Sequence, residues 1–364
     1  MKNRNCNVDI IRIVAVWSVL SIHFFLNNGY YNEILRGKKL YVGTIMRTEF
    51  MICVPLFLLL TGYLMCKKEL TKKYYAGIGK TIGVYCLATI CICIYRIGWL
   101  HEEMDIADIF FNITSYQQYS WYVGMYICLF LLIPFLNILY NNIPTPKQKK
   151  LLLLTLLILT TLPTILNTFD FLTANWLMQP AISANYQKLV PDFWSSTLYP
   201  ITFYFIGAYI REYQDDFKLS LKMNFALIVL CTIIFGSYTY WRSYNTRFIW
   251  GIWAGWGGFQ NVIDAVLIFL FLLRIKVDWL PNIIKRVLAM VADNAFAIYI
   301  VSWIFDQYSY PLLNATIPYM PDRLVYYFVV VPFNFVCSTL LACLVNALYK
   351  GICNGLRVCK KIFA

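Results

Sequence analysis

Charge is scarce in this chain of 364 residues: only 13% are Asp, Glu, Lys or Arg, against about 25% in a soluble domain. That shortage excludes a soluble globular enzyme, a disordered protein and a nucleic-acid binder. Histidine is scarcer still, at two residues, and none of the twelve cysteines forms a C-x-x-C. Two separated histidines and scattered cysteines give no ligand spacing, so no metal is expected. The cysteines read as small buried apolar residues. An internal repeat is also missing, which removes support for an inverted-repeat transporter. The longest stretch outside the expected spans, 168–196, is too short for a soluble output domain.

What is abundant is apolar: 60% of residues are hydrophobic and 18% aromatic, with mean hydropathy +0.61. A helix needs about 20 mainly apolar residues to cross a bilayer. Ten candidate spans follow, at 10–28, 49–66, 78–100, 121–140, 150–167, 197–211, 224–241, 259–275, 287–305 and 324–349. The net charge of +13 is distributed unevenly. With the N-terminus inside, 21 of the 31 Lys and Arg fall on the inner side, 8 on the outer side, and Arg12 and Arg96 within spans. That bias places both termini in the cytoplasm. The fold class is therefore all-α: one polytopic integral membrane domain over 1–364, embedded in membrane lipid. The first span reads as a retained helix, too long for a cleavable signal peptide and without its small-residue site.

Ionisable groups inside hydrocarbon cost about 2.5–3.5 kcal/mol each on insertion scales, so each is a functional candidate. The first span holds three: Asp9, Arg12 and His23. At about 100° per residue, Arg12 and His23 share a face, about 16 Å apart along the axis. Asp9 lies on the same stripe, spaced i, i+3 from Arg12, where it can orient or neutralise the guanidinium. The stripe should face a polar cavity, with Arg12 near the cytoplasm and His23 in the outer half. On chemistry alone, His23 is either a base or proton relay, or a packed histidine bonded to a neighbouring helix. His101, beside Glu102 and Glu103, reads as an exposed outer-loop residue.

Four segments in order resemble one family. Asp9-x-x-Arg12-x10-His23 resembles the first helix of the membrane acyltransferase-3 family. Val54-Pro55-Leu-Phe57 followed by Thr61-Gly62-Tyr63 resembles its "VPLFF-x-x-SGY" segment. Trp121-Tyr122, with Leu129 to Pro134, resembles its fourth helix, and Ala295-Phe296-Ala-Ile298-Tyr299-Ile its "SFGIYLIH" segment. The resemblance runs from about 7 to 345. Two segments depart from the pattern. The family's Arg-x-x-Arg corresponds to Gly77 and Lys80, and the histidine closing "IYLIH" to Ser302.

The resemblance implies an O-acyltransferase of the bacterial plasma membrane. Its donor would be cytoplasmic acyl-CoA, most often acetyl-CoA, and its acceptor a hydroxyl of a cell-surface glycan or lipid-linked sugar. His23 would be the general base, an acyl-histidine ranking second. Arg12, Lys73 and Lys80 are candidates for the phosphates of CoA, although the Lys67–Lys80 cluster also serves as a plain topology signal. Arg96, Trp121 and Tyr299 are candidates for the acceptor site. Elsewhere, Arg47 and Glu49 are expected to pair, Asp264 and Asp306 to be solvated at the outer boundary or, as a second reading, to receive sugar hydroxyls, and Asp293 to be a cap or cavity polar group. Trp250, Trp253 and Trp256 form an interfacial belt or a sugar-stacking platform. The competing class is a transporter or flippase for glycan intermediates, which also needs a polar cavity.

Overall fold

In a computed structural model, the structure describes residues 4–115, 120–172, 174, 176 and 188–362, with the side chains of 356–362 excepted. The expected outer stretch 168–196 therefore lies partly outside the described residues. Among the described residues, fifteen α-helices run in chain order. They are α1 (Cys6–Asn27), α2 (Gly37–Phe50), α3 (Cys53–Met65), α4 (Lys72–Ala76), α5 (Ile78–Gly98), α6 (Ile106–Thr114), α7 (Trp121–Asn141) and α8 (Pro146–Thr160). The rest are α9 (Leu162–Leu166), α10 (Tyr199–Tyr213), α11 (Leu221–Arg242), α12 (Phe259–Arg274), α13 (Asn282–Thr316), α14 (Met320–Arg323) and α15 (Tyr327–Ile362). Among the described residues, nine helical stretches are long and apolar enough to cross a membrane. The sixth expected span, 197–211, is α10, whose 15 residues extend about 22 Å.

Side-chain and backbone ties support an alternating path that includes α10. On one side, Arg4 meets Asp293, Asn7 meets Ile275, Asn137 meets Met65, and Lys149 meets Glu212. On the other, Asn27 meets Asn314, Leu35 meets Thr246, Lys39 meets Asp322, and Arg242 meets Thr168. Each tie joins segments that alternation puts on the same side. The lysine and arginine bias assigns the first side to the cytoplasm.

The second expected span, 49–66, holds α3 and the last residues of α2, but the crossing stretch starts earlier, at Gly37, in an expected outer segment, and it is two helices. Pro55 lacks an N–H and its ring crowds the carbonyl four residues earlier, that of Met51. The chain breaks at that point, between Phe50 and Cys53. The resulting α3 packs against α10 at backbone distance. A Cβ on Gly62 would strike the Tyr204 carbonyl, and one on Gly207 the Leu59 carbonyl.

The N-terminus of α1 is set by Asn5, whose side chain accepts from the amides of Asn7 and Val8. Helix α1 is central, packed by α3, α12, α13 and α15. Its buried face carries Asp9, Ser18, Ser21 and His23 among apolar residues. Helix α11 sits at the periphery, with Phe225, Val229, Leu230, Ile233 and Ile234 exposed as a lipid-facing helix requires.

Candidate active site

The polar stripe of α1 meets partners at both ends. At the outer end, His23 Nδ1 lies 2.8 Å from Asp306 Oδ2 of α13. The other carboxylate oxygen, Asp306 Oδ1, accepts from Asn334 Nδ2 of α15 at 3.0 Å, and the same amide nitrogen donates to Ser309 Oγ at 2.9 Å. Asp306 and Asn334 are almost wholly buried, at 1% and 0% exposure. With the carboxylate ionised, Nδ1 carries the imidazole proton and Nε2 carries the lone pair.

This corrects the expected boundary solvation of Asp306. A carboxylate in the outer half of a helix is solvated only if that face meets water, and here it meets α1 and α15. Asp306 follows Ser302 by four residues, so it lies on the same face of α13. Ser302 itself is turned inward, its hydroxyl donating to the Tyr299 carbonyl at 2.8 Å.

At the cytoplasmic end, Asp9 pairs chiefly with Arg4. Arg4 Nε and Nη2 reach the two Asp9 oxygens at 2.6 and 2.9 Å. Arg12 Nη1 reaches Asp9 at the longer distance of 3.4 Å. Arg4 also bonds both oxygens of Asp293 at 2.9 Å each. Bonds to Asp9 first, then to Asp293, hold the Arg4 guanidinium above its already high ordinary pKa.

Between these ends lies a cavity of about 670 Å³. Arg12, Lys80 and Asp293 line it toward the cytoplasmic side, and His23, Trp121 and Trp256 toward the outer side. Trp121 and Trp256 stack at 5.8 Å between ring centroids, while Tyr122 and Tyr299 meet edge to face at 6.1 Å. Cys53, Val54, Phe57 and Thr61 of α3 form another wall. The stripe predicted from spacing therefore opens on a shared cavity at Arg12 and His23, whereas Asp9 is buried behind it.

Other candidates are placed elsewhere. Lys73 is exposed and does not line this cavity. Arg96 lines a separate cavity of about 210 Å³ with Thr89, Asn112 and Trp303, held by Glu102 at 2.6 Å and Asn112 at 2.8 Å. Of the three tryptophans in the outer segment, only Trp256 lines the main cavity; Trp250 packs on Arg47 and Trp253 on Arg242. The expected Arg47–Glu49 pair does not form, because residues two apart on a helix point away from each other. Arg47 bonds Tyr31 and lies over Phe248, while Glu49 accepts from Thr232. Asp264, also expected at a solvated boundary, is 1% exposed because α12 turns it into the helix bundle. His101 is exposed, as expected.

A family model described as an acyltransferase domain matches residues 6–343. No curated protein and no solved structure gives a significant match.

Proposed function

The chain belongs to the acyltransferase-3 family, and from that premise we propose that it moves an acyl group, acetyl above all, from cytoplasmic acyl-CoA to a hydroxyl of a bacterial cell-surface glycan or its lipid-linked precursor. The observation that carries this reading is the His23–Asp306 pair at 2.8 Å, opening on a cavity that has cations at one end and aromatic rings at the other.

The chemistry follows from these placements. Asp306 fixes the tautomer of His23 and balances the charge of the imidazolium that forms. Nε2 takes the proton of the acceptor hydroxyl as its oxygen attacks the thioester carbonyl. The tetrahedral intermediate then collapses, the C–S bond breaks, and the proton passes from His23 to the departing thiolate. Arg12 and Lys80 supply cations for the phosphates of the donor. Trp121 and Trp256 offer flat faces to a sugar ring at the outer end. Lys73, exposed and off the cavity, drops to a topology role, and Arg96 to a site beside the main cavity.

Transfer of radiolabelled acetyl from acetyl-CoA to surface glycan in membranes tests the reading. Wild-type membranes should label the glycan. His23→Ala at equal protein level should not, and Arg12→Ala should raise the KM for acetyl-CoA more than it lowers kcat. Normal labelling by His23→Ala protein would remove the general base from this account. Export of unmodified glycan that depends on the protein, without label, would favour transport instead.

A further inference from the structure

The cytoplasmic mouth of the cavity carries a carboxylate for which acyl transfer has no evident use. Asp293 lines the cavity together with Arg12 and Lys80, on the path an anionic donor would take. Asp9 lies just behind. Left alone, these two carboxylates would cancel the two cations. Arg4 changes that balance: one guanidinium bonds both oxygens of Asp9 and both oxygens of Asp293, and Nη2 also donates to the Ala289 carbonyl at 3.0 Å. Three cations now face two carboxylates, and the mouth keeps one net positive charge.

The two halves of this clamp differ. Asp9 is buried, its side chain 3% exposed, whereas the Asp293 side chain is 58% exposed. An exposed ion pair adds little to stability, so the Arg4–Asp293 contact matters more for the charge an arriving ligand meets. Without Arg4, Arg12 would be the cation still paired with the buried Asp9 among the described residues, and a buried charge draws its counter-ion strongly. Loss of Arg4 would thus unmask Asp293 and pull Arg12 away from the cavity.

We propose that Arg4 is a specificity-determining residue of the donor mouth, which masks Asp293 and keeps Arg12 available so that a phosphate-bearing thioester is admitted. The inference rests on the acyl-CoA reading above, and two donors separate the fates of the two ideas. Acetyl-CoA carries the phosphates; S-acetylpantetheine carries the same thioester and arm without them. In detergent-solubilised full-length protein, Arg4→Ala should lower kcat/KM for acetyl-CoA about tenfold, as expected for one unscreened charge near a polyanion. It should leave kcat/KM for S-acetylpantetheine nearly unchanged. The double variant Arg4→Ala/Asp293→Asn should recover the part of the loss with acetyl-CoA that comes from the unmasked Asp293, which a merely structural defect at Arg4 would not allow. Equal losses with both donors, or no recovery in the double variant, would overturn the proposal. Wild-type protein inert toward both thioesters would overturn the acyl-CoA reading, and this inference with it.

Discussion

Asp306 does not line the cavity, yet in the proposed reaction its contact with Nδ1 leaves Nε2 of His23 as the basic nitrogen. Asp306→Asn tests this by removing charge while keeping shape. The amide oxygen can still accept from Nδ1, but it offers no compensation for a positive imidazolium, and a flipped amide would select the wrong tautomer. We expect kcat to fall by about 10²–10⁴ with the KM for acyl donor little changed, measured by initial-rate transfer assays. A variant with wild-type kcat would make Asp306 a packing residue only. His23, Arg12 and Asp9 were legible in the sequence because an ionisable group in an apolar run stands out against its cost. Asp306 stands in such a run as well, four residues after Ser302, but its meaning depends on a contact spanning 283 positions. Arg4 looked like one more cytoplasmic cation, since nothing local ties it to Asp293.

Helices were easier to read than the contacts between them. The apolar runs marked the spans, and the expected span 197–211 already had the 15-residue length of α10, but the division of 37–65 into α2 and α3 turned on Pro55. Both features serve one purpose, to bring α3 and α10 together so that α3 can wall the cavity. Gly207 sits against the Leu59 carbonyl with no room for a methyl group. Gly207→Ala should force the two helices apart and destabilise the protein by about 1–3 kcal/mol, the usual range for overpacking. The check is a lowered thermal midpoint in detergent. Gly98→Ala, where an added Cβ meets nothing within 4 Å, is the control and should melt like wild type. Equal midpoints for both variants would mean that the α3–α10 seam relaxes freely.

At the scale of the whole molecule, the chain is charged asymmetrically across the bilayer, and the cavity follows the same polarity. Its cationic end lies with Arg4, Asp293 and the ties of the cytoplasmic side; its aromatic end lies with Trp121 and Trp256, near the outer loops. The polyanionic donor of the proposed reaction could not cross hydrocarbon unaided, so it would enter from the side that bears the cations. Transfer should therefore be sided. Sealed inside-out vesicles, which expose the cytoplasmic face, should label an enclosed glycan acceptor when acetyl-CoA is added outside. Sealed right-side-out vesicles given the same external donor should not, although permeabilising them should restore labelling. Equal rates in both intact preparations would mean that the donor reaches His23 from the outer end, and would reverse the roles assigned here to Arg12 and the tryptophans.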